Sequence, residues 1–261
     1  MVANPLIDMG RTVAIMQPYC FPYIGYYQLV HAVDAFVYLD DVNYIKGGWI
    51  ARNRILGPSG PIQFSIPLKG VSQNKLIDAS EFADDPKWWR SFFKTVSQSY
   101  ASSPNLDLVC DLIQTPRPLL LVDWIQKTNQ RIFSYLGLEK AFFRASEIER
   151  PKGVTGPARI VSICKALGAE RYINLWGGKS LYSDEFFGQA GIELLFLKRS
   201  DSIQYSQGKR SFVPDLSILD VLAWNPLESV IHDILPKYKL SPTESWDCSR
   251  DMGTGESVRG N

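Results

Sequence analysis

Gln17, Tyr19 and Tyr23 fall in one short stretch of the sequence, and Asp40, Asp41, Lys46, Trp49, Arg52, Asn53 and Arg54 fall in a second. Guanidinium groups make forked hydrogen bonds to phosphate or carboxylate, so Arg52 and Arg54, with Lys46 as a point charge, suit such an anion. Trp49 or Tyr19 offers a face to a ring. Gln17 and Asn53 carry both donors and acceptors and can orient a polar ligand group. Asp40 or Asp41 can serve acid–base chemistry. Gly47 and Gly48 let backbone approach a ligand closely. The competing arrangement is a solvated basic loop in which Asp40 and Asp41 simply neutralise the arginines.

The elements that must position these residues are short. Residues 12–16 (TVAIM) form an apolar run stopped by Gln17-Pro18, and residues 36–39 (FVYL) form a second, stopped by Asp40-Asp41. Both fit buried strands of a parallel sheet. Residues 24–35 between them have helical spacing, which makes a strand–helix–strand unit. Ligands of open α/β sheets bind beyond the carboxyl ends of the strands. The two polar loops leave from those ends, so they are predicted to meet over one crevice. Residues 54–56 and 62–68 read as a hairpin around the turn at 58–61. Residues 86–99, 105–114 and 118–136 read as helices of an insertion over 86–138 that packs on the sheet or forms a lid. The second half repeats strand–helix–strand. Strand 171–174 runs into a glycine-rich loop, 175–182, that holds Gly177, Gly178 and Tyr182, with Asn174 at its entrance. Helix 183–190 and strand 192–197 follow. Helices are also predicted over 157–167, with Thr155 as cap, over 212–224, with Pro214 at the start, and over 226–235. The fold class is α/β, a Rossmann-like three-layer sandwich with a mostly parallel sheet. Residues 1–11 read as a loose arm, 12–240 as a single domain and 241–261 as a disordered tail.

Composition excludes several classes. Of 261 residues, 45% are hydrophobic and 21% charged, so the chain is globular rather than disordered. A net charge of +1 gives no electrostatic reason for a nucleic-acid partner, a tRNA carrying a donor group excepted. No run of about eighteen apolar residues indicates a membrane span. The first residues lack the basic start and apolar core of a secretory signal. The four cysteines, Cys20, Cys110, Cys164 and Cys248, form no CxxC pair, which points to a reduced, cytoplasmic protein. Two histidines, His31 and His232, are too few for a histidine-rich metal site, and no metal or cofactor is assigned. A Cys20–His31 nucleophile is disfavoured, because about 12 Å or more of helical rise separates the two.

Tyr23-Ile24-Gly25-Tyr26 at a helix start resembles the layout of nucleotidylyltransferases with an H-x-G-H motif, with tyrosines at both histidine positions. A tyrosine donates one neutral hydrogen bond and carries no imidazolium charge. That makes Tyr23 and Tyr26 candidate ligand contacts on a related fold. A longer resemblance covers about residues 12–235. The pieces M-Q-P-Y-x-F-P-Y-I-G-Y-Y-Q-L, L-D-D-V and K-x-x-W-x-x-R-N-R-I resemble the WbqC-like family of bacterial proteins. So do Y-I-N-x-x-G-G-x-x-L-Y, G-I-x-L-x-F and F-x-P-x-L-S-I-L-D-V-L. Cys20 stands where family members often have a hydrophobic residue. The resemblance implies a place in O-antigen or other surface-polysaccharide biosynthesis. It also implies a transferase that puts an acyl or aminoacyl group, such as glycyl, on a nucleotide-linked amino sugar. The donor is left open among aminoacyl-tRNA, acyl-carrier protein, coenzyme A and free amino acid with ATP. An adenylate-forming or nucleotidyl-transferring enzyme and a non-catalytic sugar-nucleotide-binding module are the alternatives.

Overall fold

A computed structural model describes residues 11–242. Strand β1 (Arg11–Met16) is buried along its middle and stops before Pro18. Helix α1 (Ile24–His31) follows, buried on all sides from Ile24 to Val30. It is shorter than the helical spacing suggests, because Ala32 caps it and β2 (Ala35–Tyr38) begins three residues later. Strands β3 (Arg52–Gly57) and β4 (Gly60–Ser65) form an antiparallel hairpin. It starts two residues earlier than the sequence suggests, since Arg52 and Asn53 already pair with Ser65 and Phe64. A small ribbon joins β5 (Leu68–Lys69) to β6 (Glu81–Phe82).

Helix α2 (Pro86–Ser99) begins with Asp85 accepting from the Trp88 N–H, a side-chain cap followed by proline in the first turn. Helices α3 (Leu106–Ile113) and α4 (Leu121–Tyr135) follow. Trp124 and Phe133 of α4 are buried, and Phe133 stacks on Phe142 of the sheet at 4.8 Å, so α4 packs as core. Strand β7 (Ala141–Arg144), helix α5 (Gly156–Ala166), strand β8 (Ala169–Leu175), helix α6 (Asp184–Gln189) and strand β9 (Glu193–Arg199) complete the alternation. Thr155 stands at the N-cap of α5 without a side-chain bond, whereas Ser183 does cap α6.

The six-stranded sheet has the order β10-β9-β8-β1-β2-β7, where β10 is Tyr238–Ser241. Its pairs are parallel except β9 with β10. Side chains alternate with the strand period of two. Ala14, Phe36 and Tyr38 join the core under α1 and α4, while Val13, Ile15, Ala35 and Val37 join the core with Ile163 of α5 and Phe187 of α6. The result is a mixed α/β fold with a mostly parallel sheet between helical layers, consistent with a Rossmann-like three-layer sandwich.

The chain departs from its sequence pattern near its end. Helix α7 (Ile218–Trp224) starts well after Pro214, because residues 215–217 are engaged elsewhere. Ser217 N–H donates to the Arg54 carbonyl and Ile218 N–H to the Pro22 carbonyl, each a bond to a distant loop. The expected helix 226–235 is a short α segment, Leu227–Ser229, continued by the π turn Val230–Ile234. Ser241, expected to begin a tail, instead ends the edge strand β10 and pairs with Phe196. Arg11, the last residue of the expected arm over 1–11, opens β1, while residues 1–10 and those from 243 onward lie outside the described residues.

Candidate functional site

Going from β2 to β7 the chain builds one side of β1, and it then returns to β8 on the other side. The direction of strand order reverses between β1 and β8, and this is where open α/β sheets hold ligands. The two polar loops after β1 and β2 do meet one another. Cys20 N–H donates to the Ile50 carbonyl at 2.9 Å, and the Asn53 amide donates to the carbonyls of Cys20 and Phe21 at 3.0 and 2.6 Å. Ser217 adds a third segment, with its hydroxyl on the Phe21 carbonyl at 2.9 Å. Phe21 is held at φ +44, a conformation that costs a non-glycine residue energy and persists because these bonds over-determine it.

Residues two apart on a strand share a face, so Arg52 and Arg54 point one way from β3 and Asn53 the other. That is why Asn53 reaches into the first loop while the arginines gather on Trp49. Their guanidinium carbons lie 4.8 and 5.9 Å from the Trp49 ring centroid, within cation–π range. Trp49 is 41% exposed. Neither arginine has a carboxylate partner among the described residues, and the Nε atom of each is buried without a hydrogen bond. Lys46 is exposed on the same loop.

The acidic pair sits apart from these cations. Asp40 is fully buried, and its two oxygens accept from the Ser146 N–H and hydroxyl at 2.9 and 2.8 Å. This placement ties the end of β2 to the turn after β7, where the sequence reading has a carboxylate facing the pocket. Asp41 pairs with Arg150 and lies 3.9 Å from Arg159, rather than pairing with Arg52. The solvated basic loop neutralised by Asp40 and Asp41 is therefore not what forms.

The tyrosines divide. Tyr26 is fully buried, its ring packed on Phe36 and its hydroxyl donating to the Gln17 carbonyl at 3.2 Å. It is a core residue here, because the first turn of α1 faces inward, and it does not reach a ligand surface. Tyr19 is half-buried, and its carbonyl accepts from Asn129. Burial pushes the Tyr19 and Tyr23 phenols above their ordinary range, with Asp215 adding to the rise at Tyr23, so both stay neutral donors. Gln17 is half-exposed at the end of β1. Asn174 at the end of β8 accepts from the Leu175 N–H and packs on Gly178, where a Cβ would stand 2.5 Å from its amide nitrogen. Tyr182 packs instead against Tyr172 and Phe187, on the α5–α6 side of the sheet.

A cavity of about 210 Å³ opens at the ends of β8 and β9 against the first turn of α1. Of the sequence candidates, Tyr23 and Gly177 line it, together with Trp176, Lys198, Arg199 and Asp215. Those four escape sequence reasoning. The one signal for them is a basic pair, Lys198-Arg199, at the end of a strand that neighbours the glycine-rich loop.

The model of the WbqC-like protein family matches residues 17–232. The chain belongs to the WbqC-like family. It is also 26% identical over 223 residues to a Mycobacterium tuberculosis protein described as "Uncharacterized protein Rv1507c", covering 81% of this chain and 93% of that one. Within this WbqC-like chain the cysteines do no visible chemistry. Cys20 is buried, and burial pushes its thiol well above the ordinary value, which suppresses the reactive thiolate. Burial likewise pushes the Cys164 thiol up to about 12. Cys248 lies outside the described residues. Among the described residues no cluster of His, Cys, Asp and Glu could hold a metal, and no helix is long and apolar enough to cross a membrane.

Proposed function

We propose that this chain is a cytoplasmic transferase that binds a nucleotide-linked amino sugar and passes an acyl or aminoacyl group to it in surface-polysaccharide biosynthesis. The observation that carries the reading is the pair Arg52 and Arg54, stacked on an exposed Trp49 with no carboxylate partner among the described residues. Two guanidinium groups held ready in this way are suited to a diphosphate, and the indole to a ring. Lys46 adds charge at the rim. In this reading Gln17, half-exposed at the end of β1, orients the acyl group. The family resemblance implies the polysaccharide setting, and the arginine–indole cluster supports an anionic, ring-bearing substrate.

The fastening of Asp40 and Asp41 favours one second reading, a sugar-nucleotide-binding module without catalysis. Titration calorimetry with UDP-linked amino sugars and with ATP tests the first part. The expected result is sugar-nucleotide binding that weakens at least about tenfold, or roughly 1.4 kcal/mol, in Arg52→Gln and in Arg54→Gln. Unchanged binding in both variants removes the arginines from the site. Binding of ATP alone, with pyrophosphate release, moves the assignment to nucleotidyl transfer. Incubation with candidate donors then separates transferase from binding module by whether a modified sugar forms.

A further inference from the structure

The cavity at the ends of β8 and β9 holds charges of both signs in a layered order. Arg199 bonds Asp215 at 2.6 Å, and Lys198 lies 3.8 Å from Asp201. The cations are deep and the acids outer. The Lys198 and Arg199 side chains keep 16% and 24% of their surface, against 87% for Asp201 and 48% for Asp215. The first turn of α1 closes the inner wall. It carries no acidic residue, and Tyr23 at its N-cap makes no side-chain capping bond. The partial positive charge of that helix end therefore adds to the inner cations. The Tyr23 ring lies over Gly25, where a Cβ would fall 2.4 Å from it, so only glycine leaves room for the ring. Trp176 forms a further wall, with Lys179 over its indole at 4.7 Å.

We infer that this cavity is a second binding site, for a small zwitterion of the α-amino acid class. The carboxylate goes to the inner Arg199, Lys198 and the α1 N-terminus, and the ammonium to Asp215 at the rim. Charge conservation favours this ligand over a bare anion. An anion that takes Arg199 leaves Asp215 without its cation and facing a ligand of its own sign, which is unfavourable for a partly buried charge. A zwitterion replaces both halves of the Arg199–Asp215 pair at once. Size agrees, since about 210 Å³ is below the roughly 300–1,000 Å³ of sites for drug-sized ligands and suits a few heavy atoms. An amino acid is one donor the proposed transferase reading leaves open, yet Trp176, Lys198, Arg199 and Asp215 take no part in sugar-nucleotide binding, so the site can be tested apart from that reading.

The test is ligand-observed NMR and calorimetry on the full chain with free glycine, alanine and serine. Acetate, ethylamine and inorganic phosphate are the comparison probes. At least one amino acid is expected to bind about tenfold or more tighter than acetate and ethylamine. Arg199→Gln and Asp215→Asn are each expected to weaken that binding by a similar factor. Asparagine tolerates the left-handed backbone of residue 215, at φ +58, so Asp215→Asn keeps the loop. Lys198→Gln provides an independent variant should either of the others fail to fold. Phosphate or acetate binding as tightly as the amino acid overturns the inference, and so does no amino-acid binding at about 10 mM. The sugar-nucleotide titration is separate, so either reading can fail without the other.

Discussion

Asp220 is predicted to make the stability of this chain fall as pH rises through neutrality. The residue is fully buried on α7. Its Oδ1 accepts from the Leu56 N–H of β3 at 3.1 Å, and its Oδ2 is buried without a partner. Burial pushes its carboxyl from an ordinary 3.8 up to about 7, against the opposing pull of Tyr100, the Leu56 N–H and Arg210. Because the folded state holds the proton more tightly, the contribution is fully present below about pH 4. It is lost as pH rises through the folded value. A difference of about three pH units corresponds to about 4 kcal/mol in total, with about 3 kcal/mol of it falling between pH 5 and pH 8. Asp220→Asn removes the titration while its amide oxygen still accepts from Leu56. Urea unfolding of both proteins at pH 5 and pH 8 measures the effect, and groups common to both cancel in the difference. The variant is expected to gain about 3 kcal/mol on the native protein between the two pH values. A difference that stays constant to within about 0.5 kcal/mol refutes the reasoning. The contact matters to the site because β3 also carries Arg52 and Arg54.

Two further substitutions test how the strand ends are joined. Arg150→Ala removes the partner of Asp41 and the donors to the Ala145 and Ile148 carbonyls. It is expected to cost about 3 kcal/mol in urea unfolding, with part recovered in the double variant that adds Asp41→Asn. Ser217→Ala removes the cap of α7 and the hydroxyl bond to Phe21. A loss of about 1–2 kcal/mol is expected, and unchanged stability would mean that neither bond holds the loop.

The sequence alone determined the strands and their order of appearance. TVAIM and FVYL are apolar runs closed by Pro18 and by Asp40-Asp41, and such runs are local signals that survive into any fold that buries them. It also determined that the loops after them meet, because parallel strands joined by a helix carry both loops to one edge. The family signature was legible for the same reason, spread along most of the chain. Tertiary structure decided which charges pair. Asp41 finds Arg150 and Asp40 finds Ser146, partners more than a hundred positions away, and this is what leaves Arg52 and Arg54 without a carboxylate among the described residues. It decided that α7 starts at Ile218, because Ser217 bonds Arg54 and Phe21 across the fold. It carried the chain into an edge strand, Tyr238–Ser241, that runs one residue into the expected tail, since β9 offered an unpaired edge. The cavity belongs to the same group. Tyr23, Trp176, Arg199 and Asp215 come together only because β8 returns to pair with β1. That pairing depends on strand edges far apart in the chain, and no local pattern of residues encodes it.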